Sequence, residues 1–166
     1  MIPEPKHLRI ARKYIGMREI PGKTHNNKLI NLLNTALRYN GVKWVDDEMA
    51  WCGGFVAAVL LEAGIEPVKI AARAKSWANF SANLDPTKLT PGAILVFGRD
   101  GGGHVGFYVG EDDTRYYVLG GNQSNMVRVS PILKSRLIAS RWPRGIAYGR
   151  GPVRMSSSEA ASQNEA

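Results

Sequence analysis

Pro91-Gly92-Ala93-Ile94-Leu95-Val96-Phe97-Gly98-Arg99-Asp100-Gly101-Gly102-Gly103-His104-Val105-Gly106-Phe107-Tyr108-Val109 is where the chain changes its hydrophobic period. A Pro-Gly turn signal opens it, and two short apolar runs, 93–97 and 104–109, follow on either side of a glycine-rich break. Runs of that length bounded by turn residues read as strands. Downstream, 116–119, 126–130 and 138–142 repeat the pattern. Upstream, apolar residues recur at helical spacing instead. Leu8, Ala11, Tyr14 and Ile15 mark a helix over 5–15, stopped by Gly16. Leu29, Ile30, Leu33, Ala36 and Leu37 mark a second over 26–39, ended by Asn40-Gly41. Phe55, Val56, Val59, Leu60 and Ala63 share a face of a third that starts at Cys52 and closes at Gly64. Pro67, favoured in a first helical turn, opens a fourth through Ile70, Ala71, Ala74, Trp77 and Ala78. Helices first and strands second predict an α+β fold with a segregated antiparallel sheet.

With 166 residues the chain fits one compact domain, placed over 1–150. From residue 156 on, only Ser, Ala, Glu, Gln and Asn occur, so 151–166 is expected to be a disordered tail. No apolar run approaches the ~18 residues of a membrane span. Residues 1–7 lack the apolar stretch of a secretory signal, which predicts a product made in the cytoplasm that reaches any outside target after release or delivery.

Lys and Arg number 22 against 14 Asp and Glu, a formal charge of +8. That balance favours polyanionic partners: nucleic acid, an anionic lipid surface or an anionic wall polymer. Arg136, Arg141, Arg144, Arg150 and Arg154 form the densest basic stretch, but no helix-turn-helix, zinc or RNP-like motif accompanies it. No nucleic-acid partner is expected.

Cys52 is the single cysteine, which excludes an intrachain disulfide and a cysteine-based zinc cluster. A thiol at a helix N-terminus gains from the free N–H groups and the helix dipole, both of which favour the thiolate. Trp51 precedes it, and Gly53-Gly54 behind it let a carbonyl approach the backbone and leave N–H groups free as oxyanion donors. A thiol nucleophile needs a base, and histidine suits neutral pH. His104 follows Gly101-Gly102-Gly103 and opens an apolar strand, so its ring is poised at a strand mouth. His7 and His25 have no comparable setting and read as surface residues. A third polar group must orient the imidazole. Asn122, at the end of the strand after that of His104, is the first candidate; Gln123 is the nearest competitor and Asp100 a weaker one.

Glu19-Ile20-Pro21-Gly22, Ala50-Trp51-Cys52, Lys75-Ser76-Trp77, the segment 91–97, Gly103-His104-Val105-Gly106-Phe107-Tyr108, Leu119-Gly120-Gly121-Asn122-Gln123 and Arg141-Trp142-Pro143 occur in that order. Together they resemble the CHAP and NlpC/P60 amidase–peptidase superfamily, in particular a phage-associated, endolysin-like subfamily, over 8–143. The resemblance implies a papain-like fold and hydrolysis of peptidoglycan amide bonds through an acyl-thioester. Cys52 is then the nucleophile, His104 the base and Asn122 the orienter, with Trp51, Gly53, Gly103 and Gln123 around the substrate and oxyanion. Either the muramoyl–L-alanine bond or a stem-peptide bond is a possible target. Some CHAP enzymes hold calcium in an acidic loop before the cysteine. Asp46-Asp47-Glu48 are consecutive and lack that loop's spacing, so neither metal nor cofactor is expected. The partner is peptidoglycan, the chain a monomer, and contact with an anionic wall or outer-membrane surface fits the charge. Two other readings stand beside it: a basic nucleic-acid- or wall-binding phage protein without catalysis, and a muramidase. The second fails its spacing, since the ninth residue after Glu19 is Lys28 and not an aspartate.

Overall fold

The structure is a computed structural model and describes residues 3–22, 24–47, 49–163 and 165. Four α-helices come first: α1 (Lys6–Lys13), α2 (Asn27–Asn34), α3 (Leu37–Asn40) and α4 (Cys52–Glu62). Six strands follow: β1 (Ala82–Asn83), β2 (Ile94–Arg99), β3 (Gly102–Glu111), β4 (Arg115–Gln123), β5 (Met126–Leu133) and β6 (Leu137–Trp142). They form one sheet in the order β1-β6-β2-β3-β4-β5, every pair antiparallel. The α+β, papain-like architecture with a cysteine at a helix start is thus what the molecule adopts. No helix among the described residues is long and apolar enough to cross a membrane.

Strand alternation builds two apolar layers. Ile94 and Val96 of β2, Val105, Phe107 and Val109 of β3, and Tyr117 and Leu119 of β4 pack with the helices. Leu95, Phe97, Tyr108, Tyr116 and Val118 point to the other face, where Leu89 and Trp142 join them. Helix α4 is apolar all round, with residues 52–60 buried, because it runs between the sheet and the other helices.

Four local expectations are corrected. The single helix over 26–39 breaks at Thr35–Ala36 into α2 and α3. The fourth helix does not start at Pro67: Ile70 takes a left-handed φ of 58°, and only a 3-10 helix, Ala74–Asn79, forms. The backbone N–H groups of Ala71 and Ala72 instead donate to the carbonyls of Tyr39 and Asn40, at 2.9 and 3.3 Å, which removes them from any helical ladder. His7 is fully buried between the rings of Phe107 and Trp142, and its Nε2 donates to the Gly92 carbonyl at 2.8 Å. His25 is partly exposed and pairs with Asp47.

The fourth concerns 151–166, where residues 164 and 166 lie outside the described ones. The rest of this segment runs against the sheet. Arg154 bridges to Glu111 and Ser162 to Ile132, both in parallel sense. Arg115 donates to the carbonyls of Ser157 and Glu159, at 2.9 and 2.6 Å, and Arg128 pairs with the Glu159 carboxylate at 2.7 Å. Composition predicts disorder because residues 156–166 carry no large apolar side chain, but Met155 packs against the core and arginines of the sheet hold backbone carbonyls and a carboxylate further along.

Candidate active site

Helix α4 begins at Cys52 without a side-chain cap: Trp51 stands at the cap position with φ −130°, and its side chain accepts nothing from the first turn. The first intrahelical bond runs from Phe55 N to Trp51 O, so the leading N–H groups of the helix are left for other partners. Two backbone N–H groups, those of Val105 and Gly53, reach the Cys52 thiol and favour its thiolate. Val105 directly follows His104, so α4 and β3 bring the two candidate reacting residues to one place.

The glycines explain how closely these elements approach. A Cβ on Gly53 would lie 2.1 Å from the Ala71 carbonyl, and one on Gly121 would lie 2.6 Å from the Trp51 ring. A Cβ on Gly103 would meet Lys75 and the Phe97 carbonyl at 3.0 Å. Trp51, expected beside substrate, is buried instead: its ring packs edge-on to Phe55, and its Nε1 donates to Glu19 at 2.7 Å. Glu19 thereby fixes the turn that presents Cys52.

His104 is 1% exposed and lies opposite Phe97 in the β2–β3 pairing, with the two rings stacked at 6.5 Å. Its Nε2 is 2.7 Å from Oε1 of Gln123. The Gln123 amide nitrogen donates to the carbonyls of Val118 and Arg128, at 3.0 and 2.7 Å, so the oxygen end of the amide faces the ring. An amide oxygen only accepts, hence Nε2 carries the proton and Nδ1 is left as the acceptor.

The side chain on His104 is therefore that of Gln123, not that of Asn122, and the reason is a register shift. Continuing the Phe107–Leu119 pairing residue by residue would set His104 opposite Asn122. The β4–β5 ladder is irregular between Gly120 and Gln123, however, and Asn122 takes a left-handed φ of 59°. That bulge breaks the side-chain alternation and turns Gln123 toward the imidazole. Asn122 stays buried in the bend. Asp100 lies in the exposed turn between β2 and β3.

Burial pushes the Cys52 thiol up, against the pull of the two backbone N–H groups and of Arg99. Burial also pushes His104 down to about 4, against the raising effects of Glu165 and of the bond to Gln123. In this closed state both groups rest neutral. The imidazole has a consequence for stability. Its folded value lies below the ordinary 6.5, so between those values the unfolded chain binds more protons. Stability is then complete above about pH 6.5 and falls as pH drops toward 4, by up to about 3 kcal/mol from this group. His7, lowered by burial, adds a loss of the same sign. Denaturant unfolding at pH 7 and pH 4.5 should show the loss, and His104→Gln should reduce it. An unchanged pH difference in that variant would refute the assignment.

Asp47, beside Glu48 (which lies outside the described residues), is used structurally. Its Oδ2 accepts from the Ile20 and Asn26 N–H groups at 2.8 and 2.7 Å, and its Oδ1 pairs with His25. Among the described residues no three His, Cys, Asp or Glu side chains gather as metal ligands would. Of the basic stretch, Arg136 and Arg154 pair with Glu165 and Asp113, and Arg141 donates to the carbonyls of Phe80 and Ser81.

An α+β fold with a cysteine at a helix start and a histidine on a strand is consistent with a CHAP, papain-like fold. Residues 44–122 match the CHAP domain family, and this match supports the CHAP family for the chain. CHAP domains are typically cysteine- and histidine-dependent amidohydrolases, and the domain implies amidase or peptidase action on peptidoglycan in general. The matched stretch holds Cys52, His104 and Asn122, and Gln123 directly follows it. No curated protein matches the chain.

Proposed function

We propose that this chain is a single-domain, endolysin-like peptidoglycan hydrolase that cuts amide bonds of the wall peptide with Cys52 as nucleophile, His104 as base and Gln123 as orienter. The observation that carries the reading is the chain of contacts from the α4 start through Val105 and His104 to Gln123. Gln123 accepts from Nε2, so Nδ1 takes the thiol proton. The thiolate adds to the amide carbonyl, and the oxyanion is met by the uncapped N–H groups at the start of α4. The imidazolium protonates the departing amine, the C–N bond breaks, and a thioester remains. Water, deprotonated by the same imidazole, then releases the acid and restores the thiol.

The net charge of +8 favours the encounter with an anionic wall. Mass spectrometry of the soluble fragments from purified peptidoglycan tests the reaction. New termini at the muramoyl–L-alanine bond identify an amidase, and new termini within the stem or cross-bridge an endopeptidase. Cleavage confined to the glycan strand, or no cleavage at all, would refute it.

A further inference from the structure

Both candidate reacting residues are buried, and beside the strand end that carries His104 an arginine holds a buried carboxylate. Glu165 is 2% exposed, yet residues 156–166 include no large apolar side chain. Its two oxygens are gripped by the guanidinium of Arg136, Nη2 to Oε1 at 2.6 Å and Nη1 to Oε2 at 3.1 Å, the forked geometry that arginine makes with a carboxylate. Ser162 Oγ donates to Oε2 at 2.6 Å. Arg136 itself is aimed by the protein: its Nε donates to the Gly98 carbonyl at 3.0 Å, and Gly98 pairs with Gly103 directly beside the Phe97–His104 pair.

The Glu165 charge favours the protonated form of both His104 and Cys52, opposing the burial that lowers the histidine and adding to the burial that raises the thiol. A catalytic partner would not act this way, because the same charge that steadies imidazolium opposes the thiolate. Burying a carboxylate is costly unless its lone pairs are met, and here Arg136 and Ser162 meet them. Five surface hollows of the molecule are lined by other residues.

We propose that Arg136, held by the Gly98 carbonyl, is a carboxylate-binding subsite beside His104, and that Glu165 occupies it as an internal stand-in for a carboxylate of the substrate peptide. This rests on the hydrolase reading for the identity of the substrate, but not for the existence of the subsite. The subsite selects acidic peptides, such as wall stems with a free carboxylate near the scissile bond, and Glu165 must withdraw before one binds.

Alkylation of Cys52, the only thiol, tests the subsite without any wall substrate. Iodoacetate carries a carboxylate and iodoacetamide is its neutral counterpart; their rate ratio, normalised to free cysteine, reports anion binding beside the thiol. Glu165→Ala should speed both reagents and raise the iodoacetate ratio about tenfold over wild type. Adding Arg136→Gln to Glu165→Ala should lower the ratio several-fold in a protein whose circular dichroism is unchanged, with Arg99 near the thiol accounting for any excess over free cysteine. If that double variant does not fold, Glu165→Ala with Arg136→Lys, which keeps a charge but lacks the fork, should still lower the ratio by several-fold. A ratio that is the same in wild type and in Glu165→Ala, or that survives loss of the Arg136 fork, overturns the subsite. Failure of wall hydrolysis with the ratio behaving as stated would instead remove only the substrate assignment.

Discussion

The Cys52→Ala protein should release no soluble fragments from purified peptidoglycan, a loss of about 10⁴-fold or more, while melting as the wild type does. The size of the effect follows from the chemistry: without sulfur no thioester forms, and nothing else near His104 replaces the nucleophile. The fold should tolerate the change because the cysteine is small and packs among the aliphatic residues of α4 and β3. Cys52→Ser should be nearly as inactive, since a hydroxyl beside an imidazole tuned for a thiol ionises too weakly. Treatment with EDTA should leave the wild type active, because no step here uses a metal. Turbidity loss of wall suspensions, read beside thermal unfolding, measures both sides. Retained lysis in Cys52→Ala would end the cysteine-hydrolase reading.

The second large effect separates two adjacent residues. Gln123→Ala should lower kcat on a soluble stem-peptide substrate by about 100-fold, because the imidazole loses the acceptor that holds its proton on Nε2. The variant also leaves the carbonyls of Val118 and Arg128 without their shared donor, so its unfolding must be measured alongside. Asn122→Gly should keep kcat close to wild type. Glycine accepts the left-handed backbone there at no steric cost, and the side chain it removes does not touch the ring. Normal turnover in Gln123→Ala with a marked loss in Asn122→Gly would return the orienting role to Asn122.

What could be read from the sequence is what is encoded within a few residues. Cys52 carries its own signal, a thiol at the start of an apolar helical face with two glycines behind it. His104 carries another, a polar ring between a glycine run and a buried strand. The orienter was narrowed to neighbours but not resolved between them, because the choice depends on a bulge in β4 that follows from pairing with β5. Spacing alone predicts a fourth helix from Pro67, but α3 captures the N–H groups of Ala71 and Ala72. His7 sits in an amphipathic helix that gives no sign of the rings of Phe107 and Trp142 around it. Glu165 was invisible for the strongest reason: its partner, Arg136, is remote in sequence, and its own segment has the composition of a tail.

The position of β6 has a consequence for how the chain assembles. β6 is made last but lies between β1 and β2, with Ile94 of β2 opposite Arg141 and Ala82 of β1 opposite Trp142. Until residues 137–142 leave the ribosome, β2 has an open edge of unpaired amides and carbonyls, and β1 has no partner at all. The meander from β2 to β5 can form by hairpin closure, a fast local process, whereas insertion of β6 must bridge some forty residues in sequence and should set the folding rate. A nascent chain halted shortly before β6 would therefore be prone to edge-to-edge association, and its aggregation should fall sharply once that strand is available.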